Sequence, residues 1–354
     1  MRRGGKLLIT AQAGLACAAL LGLALAVLRT HGLADARVSL GDGAAWLANA
    51  SRGDAVLVSA ASGEVLARAS VGAPGDPITL VQHGPHALFL NAATGVVGRL
   101  DGAALTVTAS TAFGAGAGAG AKVLTGGGGQ LYLLDRDRGA AQALNPANLA
   151  TLRTSEVPQG AAAAVVDAAG ALWVADRASG TVISLRRGGP PRRVAVAEPG
   201  DELGLAVVTG HAVAVNGSRA VVQALPGGAQ GRACLPVGGE TGLLVTGDDA
   251  APAAEGGRRA YALTPAGGEL FVADLADGSC SSLPLGPGRY GQPRAVDGAV
   301  YVPDLATGRV LVLDAASGQI EATQVLPADT EFRLFVEDGL VWFDNPAGPE
   351  AGVL

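Results

Sequence analysis

Residues 172–182 read LWVADRASGTV, and residues 300–310 read VYVPDLATGRV. In each, an apolar stretch with one aromatic runs into Asp, a short polar linker, Gly and a second apolar stretch. Asp accepts local backbone hydrogen bonds and Gly permits a positive φ, so Asp176–Gly180 and Asp304–Gly308 read as tight turns between two strands. The same grammar returns as WLANASRGDAV at 46–56, LFLNAATGV at 88–96 and LYLLDRDRG at 131–139. Weaker copies are VAVNGSRAVV at 213–222 and AYALTPAGGELFV at 260–272, and a last copy, VWFDNPAG, starts at Val341.

Aligning these copies on Trp46, Phe89, Tyr132, Trp173, Ala214, Tyr261, Tyr301 and Trp342 gives spacings of 43, 43, 41, 41, 47, 40 and 41 residues. Short strands repeating every 40–45 residues are the signature of propeller blades. Around Trp173 the unit divides into a strand over Ala171–Ala175, a turn, a strand over Thr181–Leu185, another turn and a strand over Arg192–Ala197. Ala163–Val166 and Arg294–Val296 read as inner strands. Helical repeats of similar period would need sustained 3.6-residue patterns of 10–12 residues, and none follows residue 36. The expected fold is all-β, a propeller of about eight four-stranded blades, preceded by one transmembrane helix. In the last blade only Phe332–Val336, Leu340–Phe343 and a short Ala351–Leu354 are available. That blade is therefore expected to be incomplete, with seven blades and a detached last unit as the alternative. The first blade takes Val38–Leu40 as its innermost strand.

Composition agrees with a folded, apolar, turn-rich chain. The 354 residues include 54 Gly, 49% are hydrophobic and the net charge is −6; a disordered segment would have low hydrophobicity and high net charge. The glycines lack a three-residue period, which excludes collagen. A pI near 5.3 argues against a nucleic-acid partner. Lysine occurs only at Lys6 and Lys122, against 23 arginines.

The amino terminus carries an address. Arg2, Arg3 and Lys6 precede an uncharged stretch from Leu7 to Leu28, 22 residues long. At about 1.5 Å per residue that spans a bilayer core. The basic flank predicts an amino terminus held in the cytoplasm and an exported remainder. Residues 1–6 thus read as a cytoplasmic basic stub, 7–28 as a transmembrane signal anchor, 29–37 as a linker and 38–354 as the propeller, truncated in its last blade. Secretion after cleavage at Ala36, within Ala34-Asp35-Ala36, is the alternative. Cys17 lies inside the apolar stretch and reads as a free thiol there. Without residues 1–36 the chain keeps 21 basic and 30 acidic residues, a net of −9.

Leu313–Ile320 (LDAASGQI) and Val58–Val65 (VSAASGEV) match the usual outer turn of secreted propeller repeats of the YVTN and NHL kind, which the units resemble. More narrowly, Gly41–Trp46 (GDGAAW), Val302–Gly308 (VPDLATG) and Trp342–Pro346 (WFDNP) resemble membrane-anchored proteins of high-GC bacteria. In those, an amino-terminal propeller precedes a fibronectin type III segment. This chain departs from that pattern by stopping at Leu354. The resemblance specifies architecture well and chemistry poorly.

Candidate sites are few. GAGAGAG at 114–120 leads to Lys122, but Val123 and a strand follow where a phosphate loop needs Ser or Thr and a helix. This run and Gly126–Gly129 read as flexible connections between blades. His83 and His86 lack the spacing and companions of a zinc site and read as a solvent-side turn. Asp248, Asp249 and Glu255 lack the alternating pattern of a calcium loop. Asp135, Asp176, Asp304 and Asp314 read as turn residues. Cys234 and Cys280 are the exported thiols and a candidate disulfide, provided their Cα atoms come within about 7 Å. Arg186, Arg187, Arg192 and Arg193 flank a Gly-Gly-Pro-Pro turn and form a candidate anion-binding patch.

No catalytic, cofactor-binding or metal-binding set is assigned. A quinone cofactor is expected to stack on tryptophan, and Trp46, Trp173 and Trp342 all sit at blade anchors. The expected function is therefore a non-enzymatic, membrane-anchored extracytoplasmic scaffold. Its expected partners are the cytoplasmic membrane through residues 7–28 and an envelope protein or polysaccharide. The alternative is a propeller hydrolase or lyase with its site at the central channel.

Overall fold

The computed structural model describes residues 43–83, 86–113, 120–126, 129–227, 230–232, 234, 242–248, 258–315 and 317–354. The expected membrane segment 7–28, the cleavage site at Ala36 and the strand Val38–Leu40 lie outside these residues. Among the described residues no helix is long and apolar enough to cross a membrane.

Every sheet is an antiparallel meander with its strands in chain order. Blade 1 holds β1 (Ala44–Asn49), β2 (Asp54–Ser59) and β3 (Val65–Ser70). Blade 2 holds β4 (Ile78–His83), β5 (His86–Asn91), β6 (Val96–Asp101) and β7 (Thr106–Ala112). Blade 3 holds β8 (Ala121–Thr125), β9 (Leu131–Asp135), β10 (Ala140–Leu144) and β11 (Thr151–Glu156). Blade 4 holds β12 (Ala163–Val166), β13 (Leu172–Asp176), β14 (Thr181–Leu185) and β15 (Arg192–Ala195). Blade 5 holds β16 (Leu203–Val208), β17 (His211–Asn216), β18 (Val221–Ala224) and β19 (Gln230–Arg232). Blade 6 holds β20 (Leu244–Gly247), β21 (Arg259–Thr264), β22 (Glu269–Asp274) and β23 (Cys280–Pro284). Blade 7 holds β24 (Arg294–Val296), β25 (Ala299–Asp304), β26 (Arg309–Asp314) and β27 (Ile320–Gln324). Blade 8 holds β28 (Arg333–Glu337), β29 (Leu340–Asp344) and β30 (Ala351–Val353).

The ring closes through its cores. The second strand of a blade is buried on both faces, and its alternate residues serve different neighbours. In β13, Leu172 and Val174 pack with blade 3, whereas Trp173 and Ala175 pack with blade 5. The same exchange passes from blade to blade until Trp342 of blade 8 packs with Ala45 and Leu47 of blade 1. The fold is thus an eight-bladed propeller, and the seven-bladed alternative is excluded. Among the described residues blade 8 shows three strands. Blade 1 also shows three among the described residues.

The register corrects the anchor alignment at two places. Trp46, Tyr132, Trp173, Tyr261, Tyr301 and Trp342 face the following blade. Phe89 and Ala214 face the preceding one, and Leu88 and Val213 hold the equivalent position instead. Phe89 pairs in register with Gly98, which has no side chain to collide with the ring.

The turn residues act as read. Asp135 Oδ1 accepts the N–H groups of Asp137 and Arg138, and Asp304 Oδ1 accepts those of Ala306 and Thr307. Asp176 and Asp314 accept from Ala178 and Ser317. The repeated glycine has a second duty. At Gly180 (φ 67°) and Gly308 (φ 71°) the carbonyl accepts two N–H groups from the chain leaving the outermost strand. A Cβ at either position would collide with that chain's backbone, at Ala197 or Leu326. The period in glycine is therefore a contact within each blade as well as a turn.

Gly126–Gly129 falls between β8 and β9 of one blade, not between blades as expected. The GAGAGAG run connects blades 2 and 3, but residues 114–119 lie outside the described residues.

Candidate functional site in the axial channel

The inner strands surround a channel enclosing a cavity of about 600 Å³. Its wall is largely aliphatic, supplied by Leu80, Val165, Leu205, Val245 and Val296 among others, with Trp46 and Phe335 as aromatics. Four ionisable groups line it: Arg294, Arg333, Glu337 and Asp344.

Three of these four are engaged with neighbouring groups. Arg333 Nε and Nη2 donate to Asp344 Oδ2 at 3.0 and 2.8 Å, across a pair in direct register on β28 and β29. The Asp344 side chain is 3% exposed. Burial pushes its pKa up, and the charge and hydrogen bonds of Arg333 oppose that shift. Asp344 is free for this role because Asn345, the next residue, caps the turn by accepting the N–H of Ala347 at 3.0 Å. Arg294 of blade 7 donates from Nε to the Leu334 carbonyl of blade 8 at 2.9 Å. Two glutamines stitch the rim likewise. Gln82 donates to the Trp46 carbonyl at 2.7 Å and Gln292 to the Val245 carbonyl at 2.8 Å.

Glu337 is the exception. It sits at the hairpin end of β28, where burial, then the charge of Asp338, pushes its pKa up to about 7. It accepts no hydrogen bond among the described residues. A carboxyl group held near neutrality in a cavity can exchange a proton under physiological conditions.

The other candidates lie elsewhere. Arg186, Arg187, Arg192 and Arg193 are exposed around the β14–β15 hairpin, with Arg153 of blade 3 reaching the Gly189 carbonyl at 2.6 Å. Cys234 and Cys280 join blades 5 and 6, with Cα atoms 5.7 Å apart. His86 is not in a solvent turn. It opens β5, half-buried, with Nδ1 3.6 Å from Asp101 and its other nitrogen against Arg99. Asp248 is buried rather than in an open loop, and its Oδ2 accepts the Gly298 N–H at 3.3 Å. Asp249 and Glu255 lie outside the described residues. Among the described residues no group of three or more His, Cys, Asp or Glu side chains converges as a metal site.

No protein-family model matches this chain, and no curated protein matches it in sequence. Solved structures match its fold. Virginiamycin B lyase from Staphylococcus aureus aligns with a TM-score of 0.59 at 11% identity, covering 78% of this chain and 93% of that one. AztD from Citrobacter koseri aligns at 0.59 and 15% identity, covering 87% and 90%. BamB from Moraxella catarrhalis aligns at 0.57 and 15% identity, covering 88% and 96%. These likenesses agree with the class that its eight sheets define, a β-propeller, and at such identities they carry no function across.

The channel was not legible in the sequence. Arg294, Arg333, Glu337 and Asp344 sit in short inner strands or turn positions, and only ring closure brings them to one axis. The one local signal is the doubled Asp344-Asn345, where the other copies carry a single Asp or Asn or, after Tyr261, Thr264.

Proposed function

We propose that this chain is a membrane-anchored, extracytoplasmic propeller that binds a protein or polysaccharide of the cell envelope and carries out no chemistry. The observation that carries this reading is the engagement of the channel's charges. Arg333 pairs with Asp344 within blade 8 and Arg294 ties blade 7 to a backbone carbonyl of blade 8, so these groups are engaged in the fold instead of standing free to react. The basic flank and apolar stretch of residues 1–28 support the anchor, with cleavage at Ala36 as the other route to export. The resemblance to propellers that precede a fibronectin type III segment supports the envelope. The exposed arginines 186, 187, 192 and 193 offer an anionic polymer a cationic grip on an otherwise acidic surface.

The second reading, a lyase or hydrolase, is favoured by Glu337 alone. One experiment separates them. The protein is incubated with virginiamycin B, followed by mass spectrometry, and in parallel with insoluble cell-wall polymer, followed by sedimentation. The binding reading expects an unchanged antibiotic mass. It also expects saturable co-sedimentation, weakened several-fold by Arg186→Gln with Arg187→Gln and unaffected by Glu337→Gln. Turnover lost in Glu337→Gln would overturn it in favour of an enzyme.

A further inference from the structure

The axial cavity holds a guanidinium that the fold positions but does not neutralise. Arg294 opens β24, the inner strand of blade 7, and lines the cavity. Its Nε donates to the Leu334 carbonyl of blade 8 at 2.9 Å, which fixes the plane of the group. Nη1 and Nη2 make no hydrogen bond, and Arg294 forms no ion pair, among the described residues. Neither nitrogen is sealed from solvent, so the free edge of the fork opens into the cavity. The two carboxyl groups of the lining do not match it. Asp344 accepts from Nε and Nη2 of Arg333. Glu337 stands three residues beyond Leu334 on β28, about 10 Å along the strand, and forms no ion pair among the described residues.

Burial is the largest effect lowering the Arg294 pKa, and the like charge of Arg333 adds to it. A guanidinium stays charged all the same, and a half-buried charge without a counter-ion is unfavourable. A carboxylate placed on the Nη1 and Nη2 edge removes that cost, because the planar fork matches its two oxygens. With Arg333 and Asp344 cancelling, the unmatched cation calls for a single negative charge. The wall defines the rest of the ligand. Leu80, Val165, Val207 and Phe335 line the cavity yet are only half-buried, and Val336 is exposed. Water therefore touches apolar side chains of several blades, and an apolar body displaces it favourably. A volume of about 600 Å³ falls in the range of small-molecule sites.

We propose that the axial cavity binds one molecule of an apolar monocarboxylate, its carboxylate on the free edge of Arg294 and its apolar body against Leu80, Val165, Val207 and Phe335. This site is independent of whatever the outer surface binds, and it differs from the arginine hairpin of blade 4.

The test uses the full chain, titrated calorimetrically at constant ionic strength with decanoate and, in parallel, with decanol, which keeps the apolar chain and lacks the charge. Decanoate should bind saturably, one to one, and raise the melting temperature. Decanol should bind about tenfold more weakly or worse, as loss of a charged hydrogen bond implies. Arg294→Gln should weaken decanoate by a similar factor and leave decanol as it is in the native chain, so its decanol affinity reports that the cavity is intact. Val165→Phe narrows the cavity from blade 4 without touching a charge, and it should weaken both probes. The hairpin pair Arg186→Gln and Arg187→Gln should change neither, which keeps this site separate from polymer binding at the outer surface. Equal affinity of the native chain for the two probes, native decanoate affinity in Arg294→Gln, or decanoate binding indifferent to Val165→Phe would each overturn the proposal.

Discussion

Glu337 is a residue whose environment works strongly against its charged form. Its pKa stands near 7 in the fold against an ordinary 4.5, raised by burial and by Asp338. The folded state thus binds the proton more tightly than the unfolded chain. The associated stability is fully present below about pH 4.5 and is lost as pH rises through 7. Glu337→Gln should flatten that part of the stability profile. It should raise stability at pH 8 by about 2 kcal/mol or less, allowing for the side chain's remaining contact with water. Denaturant titrations at pH 4.5, 6 and 8 check this, and a variant that keeps the native pH slope would show that another group carries it. Nothing in the local sequence around Glu337 marks it, since FVEDGLVW reads as an ordinary hairpin. The turn aspartates, by contrast, were fully legible, because an Asx turn is a local arrangement of a side chain and the next few N–H groups.

At the scale of elements, the repeated glycine and the inter-blade link each make a testable demand. Gly308 combines a positive φ with a backbone contact at Leu326 and Pro327 that leaves no room for a Cβ. Gly308→Ala should destabilise the chain by about 1–3 kcal/mol. By comparison, an alanine at Gly63, where nothing approaches, meets only the φ penalty. Chemical denaturation of the two variants side by side measures the contact. Cys234 and Cys280 span 46 positions, and closing such a loop stabilises by roughly 2–4 kcal/mol. Alkylation without reductant should label neither cysteine, and reduction should lower the melting temperature. Labelling of both before reduction would refute the bond. Sequence spacing left this pair open because outer strands of neighbouring blades diverge by an amount that only their packing sets. The same limit explains Phe89 and Ala214. An aromatic one place out of register looks equivalent along the chain, yet it turns to the opposite blade because side chains alternate along a strand.

For the whole molecule, closure is the property on which the rest depends. Each blade is a sheet with two apolar faces, so an unclosed array leaves two faces wet. Blade 8 covers Ala45 and Leu47 with Trp342, and covers Val296 and Val310 with Phe332, Leu334 and Val341. A variant lacking residues 333–354 should therefore lose its single cooperative transition, melt at lower temperature and bind a hydrophobic dye. A sharp, dye-silent transition would mean that seven blades suffice. The sequence by itself determined the strand grammar, the period near 41 residues and the count of eight units. These follow from local turn chemistry and the two-residue alternation of strands. Only the tertiary structure decided what stands on the axis. Thr125, Arg294 and Arg333, which line one cavity, are far apart in the chain and occupy unremarkable strand positions. They meet because eight similar units close into one ring, and proximity across a ring is set by the sum of all its packing angles, which no local stretch encodes.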